Sequence, residues 1–131
     1  MMMSHASNAY GAVHRATLIE GASPHELTSL LYQSAISRVN MARVHLDRKN
    51  RTELHRSLDK TLAIVHELQG SLLDPENDEL SSQLFGLYTY VTEQLLIASR
   101  NQDDTCLASA LDVLVTLHDA WMQISPESQP S

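Results

Sequence analysis

Ser23-Pro24-His25-Glu26-Leu27 spells out a helix start. Serine can cap orphan backbone amides, proline suits the first helical position because its missing N–H had no partner there, and glutamate stands three places after the cap. Beyond it Leu27, Leu31, Ala35, Val39, Ala42 and Leu46 recur at steps of three and four, so one wide face is apolar. The same logic continues along the chain. Asn50-Arg51-Thr52-Glu53 is a second capping-box-like opening, followed by Leu54, Leu58, Leu62, Val65, Leu68 and Leu72 on one stripe. Asp74-Pro75-Glu76-Asn77-Asp78 breaks the pattern, since proline disfavours helical geometry in the residue before it and the acids suit the positive end of the next helix. Leu80, Leu84, Leu87, Val91, Leu95 and Ala98 then give a third helix. Asp103 and Asp104 open a fourth, with Leu107, Leu111, Leu114, Leu117 and Trp121, and Ser125-Pro126 ends it.

Four such helices joined by short turns must run antiparallel, so the expected fold is all-α, an up-down four-helix bundle. The chain has 131 residues, enough for one core that buries about two-thirds of its unfolded surface without a staple. The expected division is an N-terminal arm over residues 1–20, the bundle over 21–124 and a tail over 125–131. Arm and tail carry no packing pattern and are expected to be mobile.

The formal net charge of −7 and a pI near 5.3 argue against nucleic acid as a partner. Arg38, Arg43, Arg48, Lys49, Arg51, Arg56 and Lys60 gather around the first turn, whereas Asp74, Glu76, Asp78 and Glu79 crowd the second. Up-down topology puts these at opposite ends, with Asp103 and Asp104 partly neutralising the basic one. No apolar run is long enough for membrane insertion and no signal-peptide pattern precedes the bundle, so a cytoplasmic protein is expected.

Catalysis finds no support in the residues. Di-metal bundles need Glu-x-x-His pairs on two helices, and none occurs here. His5, His14, His25, His45, His55, His66 and His118 include no pair three or four residues apart, the helical spacing that brings two imidazoles to one metal. His118 falls on the apolar stripe of the fourth helix, where a hydrogen-bonded core histidine is expected. Cys106 is the single cysteine and sits as a small packing residue. Neither an enzyme nor a cofactor or metal is expected.

What the core stripes leave over is large apolar surface. Counting about 100° per residue from Leu84, Phe85 and Leu96 fall a quarter-turn to one side and Tyr90 and Ile97 to the other. Ile64 lies a quarter-turn from Val65, and the fourth helix adds Val113, Val115 and Met122. Grooves flanked by such residues are seats for an amphipathic helix of a partner.

Asn8-Ala9-Tyr10 and Ala22-Ser23-Pro24-His25-Glu26-Leu27, leading to Leu30-Leu31-Tyr32, resemble the amino-terminal signature of the FliS family, flagellin-specific export chaperones. Lys60 to Leu68 with Ser71-Leu72, the run from Leu84 to Leu87-Tyr88-Thr89-Tyr90, and Leu117 to Trp121 agree in the same order. Gln33-Ser34 departs from the usual acidic or amide residue followed by glycine, and Gly11 to Glu20 matches poorly. The resemblance implies a cytoplasmic chaperone of flagellar type III export. Such a chaperone binds the C-terminal segment of flagellin, prevents premature polymerisation and delivers the client to flagellar export-gate components. It also implies that Tyr10 lies in a segment that covers the apolar site of the empty chaperone, and the expectation built on this is that Tyr10 folds over a flagellin-binding groove edged by Ile64, Leu68, Phe85, Tyr88 and Tyr90. A helical adaptor or dimeric regulator, stable as a homodimer and without a flagellin client, is the alternative.

Overall fold

The computed structural model describes residues 23–124. They form four helices, α1 (Pro24–Asp47), α2 (Arg51–Gly70), α3 (Glu79–Asn101) and α4 (Asp104–Met122), with no strand among the described residues. Each helix packs on its sequence neighbours and α4 closes on α1, giving the antiparallel all-α bundle. The expected arm, which includes Tyr10, and the expected tail lie outside the described residues.

Every helix starts on a side-chain cap. Ser23 Oγ accepts from the Glu26 amide at 3.2 Å, Asn50 Oδ1 from Glu53 at 3.3 Å, Asp78 Oδ2 from Ser81 at 2.8 Å and Asp103 Oδ1 from Thr105 at 2.9 Å. Each satisfies a donor that the first helical turn leaves without a partner.

The turns reuse these caps. Lys49 adopts a left-handed φ of 57°, so its amide reaches Leu46 O at 3.0 Å while the next amide, Asn50, reaches His45 O at 2.9 Å. This double closure ends α1, and Asn50 at once caps α2. Gln102 does the same work at the far end of α3: at φ 54° its amide donates to Ala98 O at 2.9 Å, one residue before the cap of α4. Between α2 and α3 the chain wraps around Asp74, whose carbonyl accepts from Asn77 and Asp78 at 3.1 and 2.9 Å.

The core draws on all four helices: Val39 and Ala42 of α1, Leu54, Leu58 and Val65 of α2, Val91 and Leu95 of α3, and Leu107 and Leu114 of α4 are fully buried. Burying each Leu or Val contributes about 1.5–3 kcal/mol. The periodic stripes predict these residues. Leu80 and Leu87 depart from them, for both stripe positions are exposed. Leu80 sits in the first turn of α3, at an end of the bundle, and Leu87 on the flank of α3 that turns toward α4, so neither points along the central axis.

A polar seam joins α1 to α4. His25 and Trp121 stack with ring centroids 4.8 Å apart, His25 Nε2 hydrogen-bonds to Trp121 O at 3.1 Å and Trp121 Nε1 donates to His25 O at 3.0 Å. One turn inward, Ser29 Oγ meets His118 Nε2 and Met122 Sδ, both at 3.2 Å. At the other end Arg43 grips Asp104 with two bonds of 2.9 Å.

Candidate functional site

Exposed large apolar side chains are unevenly spread. α2 has none and α1 has Leu30, Met41 and Val44, whereas α3 carries Leu80, Phe85, Leu87, Tyr90 and Leu96, and α4 has Val115. Leu73 stands in the turn before α3, and Met122 and Ile124 at the end of α4. Because α3 and α4 are antiparallel, Leu73, Leu80, Met122 and Ile124 lie at the same end of the bundle, the one that carries Asp74, Glu76, Asp78 and Glu79.

The surface of α3 has two flanks. Gln69 of α2 donates its side-chain amide to Phe85 O at 3.1 Å and to Thr89 Oγ1 at 2.9 Å, so the flank of Phe85, Thr89 and Leu96 faces α2. By helical rotation Leu87, Tyr90 and Ile97 fall on the opposite flank, toward α4, whose half-buried Val113 and Leu117 turn the same way. Between them, on the crest of α3, sits Gly86, where an added Cβ would meet nothing within 4 Å. The crest is thus a smooth strip with an aromatic ring on each side.

The five described residues predicted to edge one groove are placed differently from one another. Phe85 and Tyr90 are 44% and 41% exposed, but Ile64, Leu68 and Tyr88 are only 0%, 2% and 3% exposed and belong to the core. Leu68 lies on the core stripe of α2 itself, and Ile64, a quarter-turn from Val65, is drawn into the same core, whose face on α2 is wider than the stripe. Phe85 and Tyr90 lie on opposite flanks of α3, so the five do not edge a single groove.

Tyr88 instead forms a buried pair. Its hydroxyl and that of Tyr32 lie 2.6 Å apart across the bundle diagonal. Burial raises both phenol pKa values above the ordinary range, and for Tyr88 the neighbouring Tyr32 adds to the effect. The pair is a neutral hydrogen bond between buried rings, with the His118 ring 5.9 Å from that of Tyr32. Partial desolvation, with the Asp103 carboxylate second, pushes the Cys106 thiol up, which opposes a reactive thiolate. Asp103 and Asp104 are held below the usual carboxylate range, the first chiefly by its bond to Thr105 and the second chiefly by Arg43. Among the described residues no group of three or more His, Cys, Asp or Glu could hold a metal. No helix among them is long and apolar enough to cross a membrane.

A bundle with a complete core and apolar surface left over on α3 fits a protein that holds other proteins, and comparison with known sequences agrees. The sequence profile of the family described as Flagellar protein FliS matches residues 6–128. The chain belongs to the FliS family. Among its relatives, the flagellar secretion chaperone FliS of Salmonella typhimurium is 29% identical over 121 residues, covering 92% of this chain and 90% of the relative. The chaperone of the same name from Vibrio cholerae is 26% identical over 119 residues, 91% and 88% of the two chains. That of Bacillus subtilis is 28% identical over 116 residues, 88% and 85%. Coverage this complete carries the FliS match across all four helices.

Proposed function

We propose that this chain is a cytoplasmic chaperone of flagellar type III export that binds the C-terminal segment of flagellin. It prevents premature polymerisation and delivers the client to flagellar export-gate components. The carrying observation is the exposed apolar surface of α3 and the adjoining end of α4, outside a core that is already complete. An amphipathic segment lying along α3 buries Phe85 on one side and Tyr90 on the other, and Gly86 lets its backbone approach between them. Ile64, Leu68 and Tyr88 then act from beneath, fixing the helices that present this surface. Coupled folding of such a segment buries about 1,000–3,000 Å² and loses about 2–5 kcal/mol to ordering, which suits a complex that is tight yet releasable. Holding requires neither nucleic acid, nor membrane insertion, nor a cofactor.

The reading extends to Tyr10, whose ring would occupy the same apolar surface in the empty chaperone and leave it when flagellin arrives. Removing residues 1–16 should then raise flagellin affinity and the binding of an apolar dye together.

Calorimetric titration of the full chain with a peptide spanning the flagellin C-terminal segment tests the central point. Phe85→Ser and Tyr90→Ser should each weaken binding by about tenfold or more, the size expected of an aromatic anchor. Circular dichroism should be unchanged, since both side chains are exposed. Equal affinity of both folded variants and the parent chain would remove α3 as the seat, and absence of binding by the parent chain would remove the client.

A further inference from the structure

The face formed by α1 and α2 is predominantly basic. Seven of the nine basic residues of the chain fall between Arg38 and Lys60, against only Asp47, Glu53 and Asp59. Two hollows open among them. The larger, about 1,000 Å³, lies at the end of the bundle by Arg48, Lys49 and Arg51, but Asp47 and Asp104 also line it and Arg43 is committed to Asp104. The smaller, about 340 Å³, lies on the outer side of the α1–α2 seam, with Glu53 as its one acidic lining residue.

Arg38 and His45 of α1 face Arg56 and Lys60 of α2 across this smaller hollow, with the hydroxyls of Ser34 and Ser37 at its wall. Glu53 is the single acid lining it and accepts one bond from Arg56, at 2.6 Å, leaving the other donors of that guanidinium. Arg38 forms no ion pair with the described residues. Its Nε–H is buried without an acceptor, a condition few native side chains tolerate. Guanidinium groups beside hydroxyls are a donor set for carboxylate oxygens.

We propose that the outer face of α1–α2 is a second docking surface, which seats an acidic peptide segment of a partner protein with a carboxylate between Arg38 and Arg56. Charge complementarity selects the occupant. A polyanion the size of a nucleic acid, or an anionic membrane, meets the overall charge of −7, whereas a short acidic segment meets only the local basic field. Met41, 48% exposed at the rim, gives such a segment an apolar contact that a free phosphate ion cannot use. The hollow is lined by α1 and α2 alone, with no residue of α3, so the acidic segment and a client on α3 bind together. The proposal stands on the α1–α2 face alone and does not rest on the identity of that client.

The test uses the full chain and an acetylated pentapeptide of four glutamates around a central leucine, followed by amide chemical shifts. Saturable shifts should cluster at residues 34–45 and 53–60 and weaken steeply between about 0.05 and 0.3 M salt. The double variant Arg38→Gln, Arg56→Gln should bind about tenfold more weakly, with Arg100→Gln on α3 as the control that changes little. Unchanged circular dichroism and unchanged flagellin binding of the double variant would show that fold and client surface are intact. Shifts elsewhere, equal binding by the double variant, or inorganic phosphate or a single-stranded oligonucleotide binding this face as tightly as the peptide, would each overturn the proposal.

Discussion

At the scale of single residues the Tyr32–Tyr88 pair is the most consequential polar feature of the core. Two hydroxyls 2.6 Å apart satisfy one another only while both are present. Removing one leaves the other buried and unbonded, which costs about 1–3 kcal/mol, whereas removing both can be nearly neutral. Tyr32→Phe or Tyr88→Phe alone should therefore lower the urea midpoint more than the double replacement does, a double-mutant cycle that measures the coupling directly. The same pair sets an alkaline limit. Folding raises both phenol pKa values, chiefly through burial, so the folded state holds these protons more tightly than the unfolded chain. This contribution is complete below about pH 10, the ordinary tyrosine value, and is lost as pH rises above it. Urea midpoints should fall above that pH, and fall less in the double phenylalanine variant.

Elements add the question of where helices stop and which way they turn. Lys49 holds a left-handed φ of 57° that glycine adopts without steric cost, and its side chain is exposed. Lys49→Gly should raise stability by about 0.5–1 kcal/mol, read as a shift in melting temperature with the helix content unchanged. Gly86, on the open crest of α3, is the reverse case. Gly86→Ala should stabilise the free chain by about 0.5–1 kcal/mol through helix propensity, while a larger replacement such as Gly86→Gln should leave folding intact and obstruct the client. Helix starts were legible because Ser23, Asn50, Asp78 and Asp103 each act within three residues of themselves. Helix rotation was less so. Ile64 lies in the core although it stands a quarter-turn off the stripe of α2, and Leu87 lies outside it although it stands on the stripe of α3, because the inward direction of a helix is set by what its neighbours present. The pairing of Ser29 with His118 likewise depends on a helix 89 residues away, although the hydrogen-bonded character of His118 was expected from its place on an apolar stripe.

For the whole molecule, the up-down arrangement sorts function by face. Exposed apolar groups are most numerous on α3, with Leu30, Met41 and Val44 on α1, basic groups lie mostly on α1 and α2, and the acids of residues 74–79 at the end where α3 begins. Composition and periodicity announced the charge separation and the surplus of apolar residues, since both are counts along the chain. They could not announce which surplus residues reach the surface, and so Phe85 and Tyr90 stand outside while Tyr88, two places from Tyr90, is spent on Tyr32. The basic face was visible as a cluster of charges but not as a hollow, because its two walls come from different helices.

The clasp between His25 and Trp121 has an optical consequence. The chain contains a single tryptophan, and its indole lies flat against an imidazole where the first turn of α1 meets the last of α4. Emission from that one chromophore therefore reports the closure of the bundle at this seam, with no label needed. If a cargo pries the two helices apart the spectrum should shift and brighten as the stacked ring departs; if it settles on α3 without disturbing the seam, the emission should stay as it is.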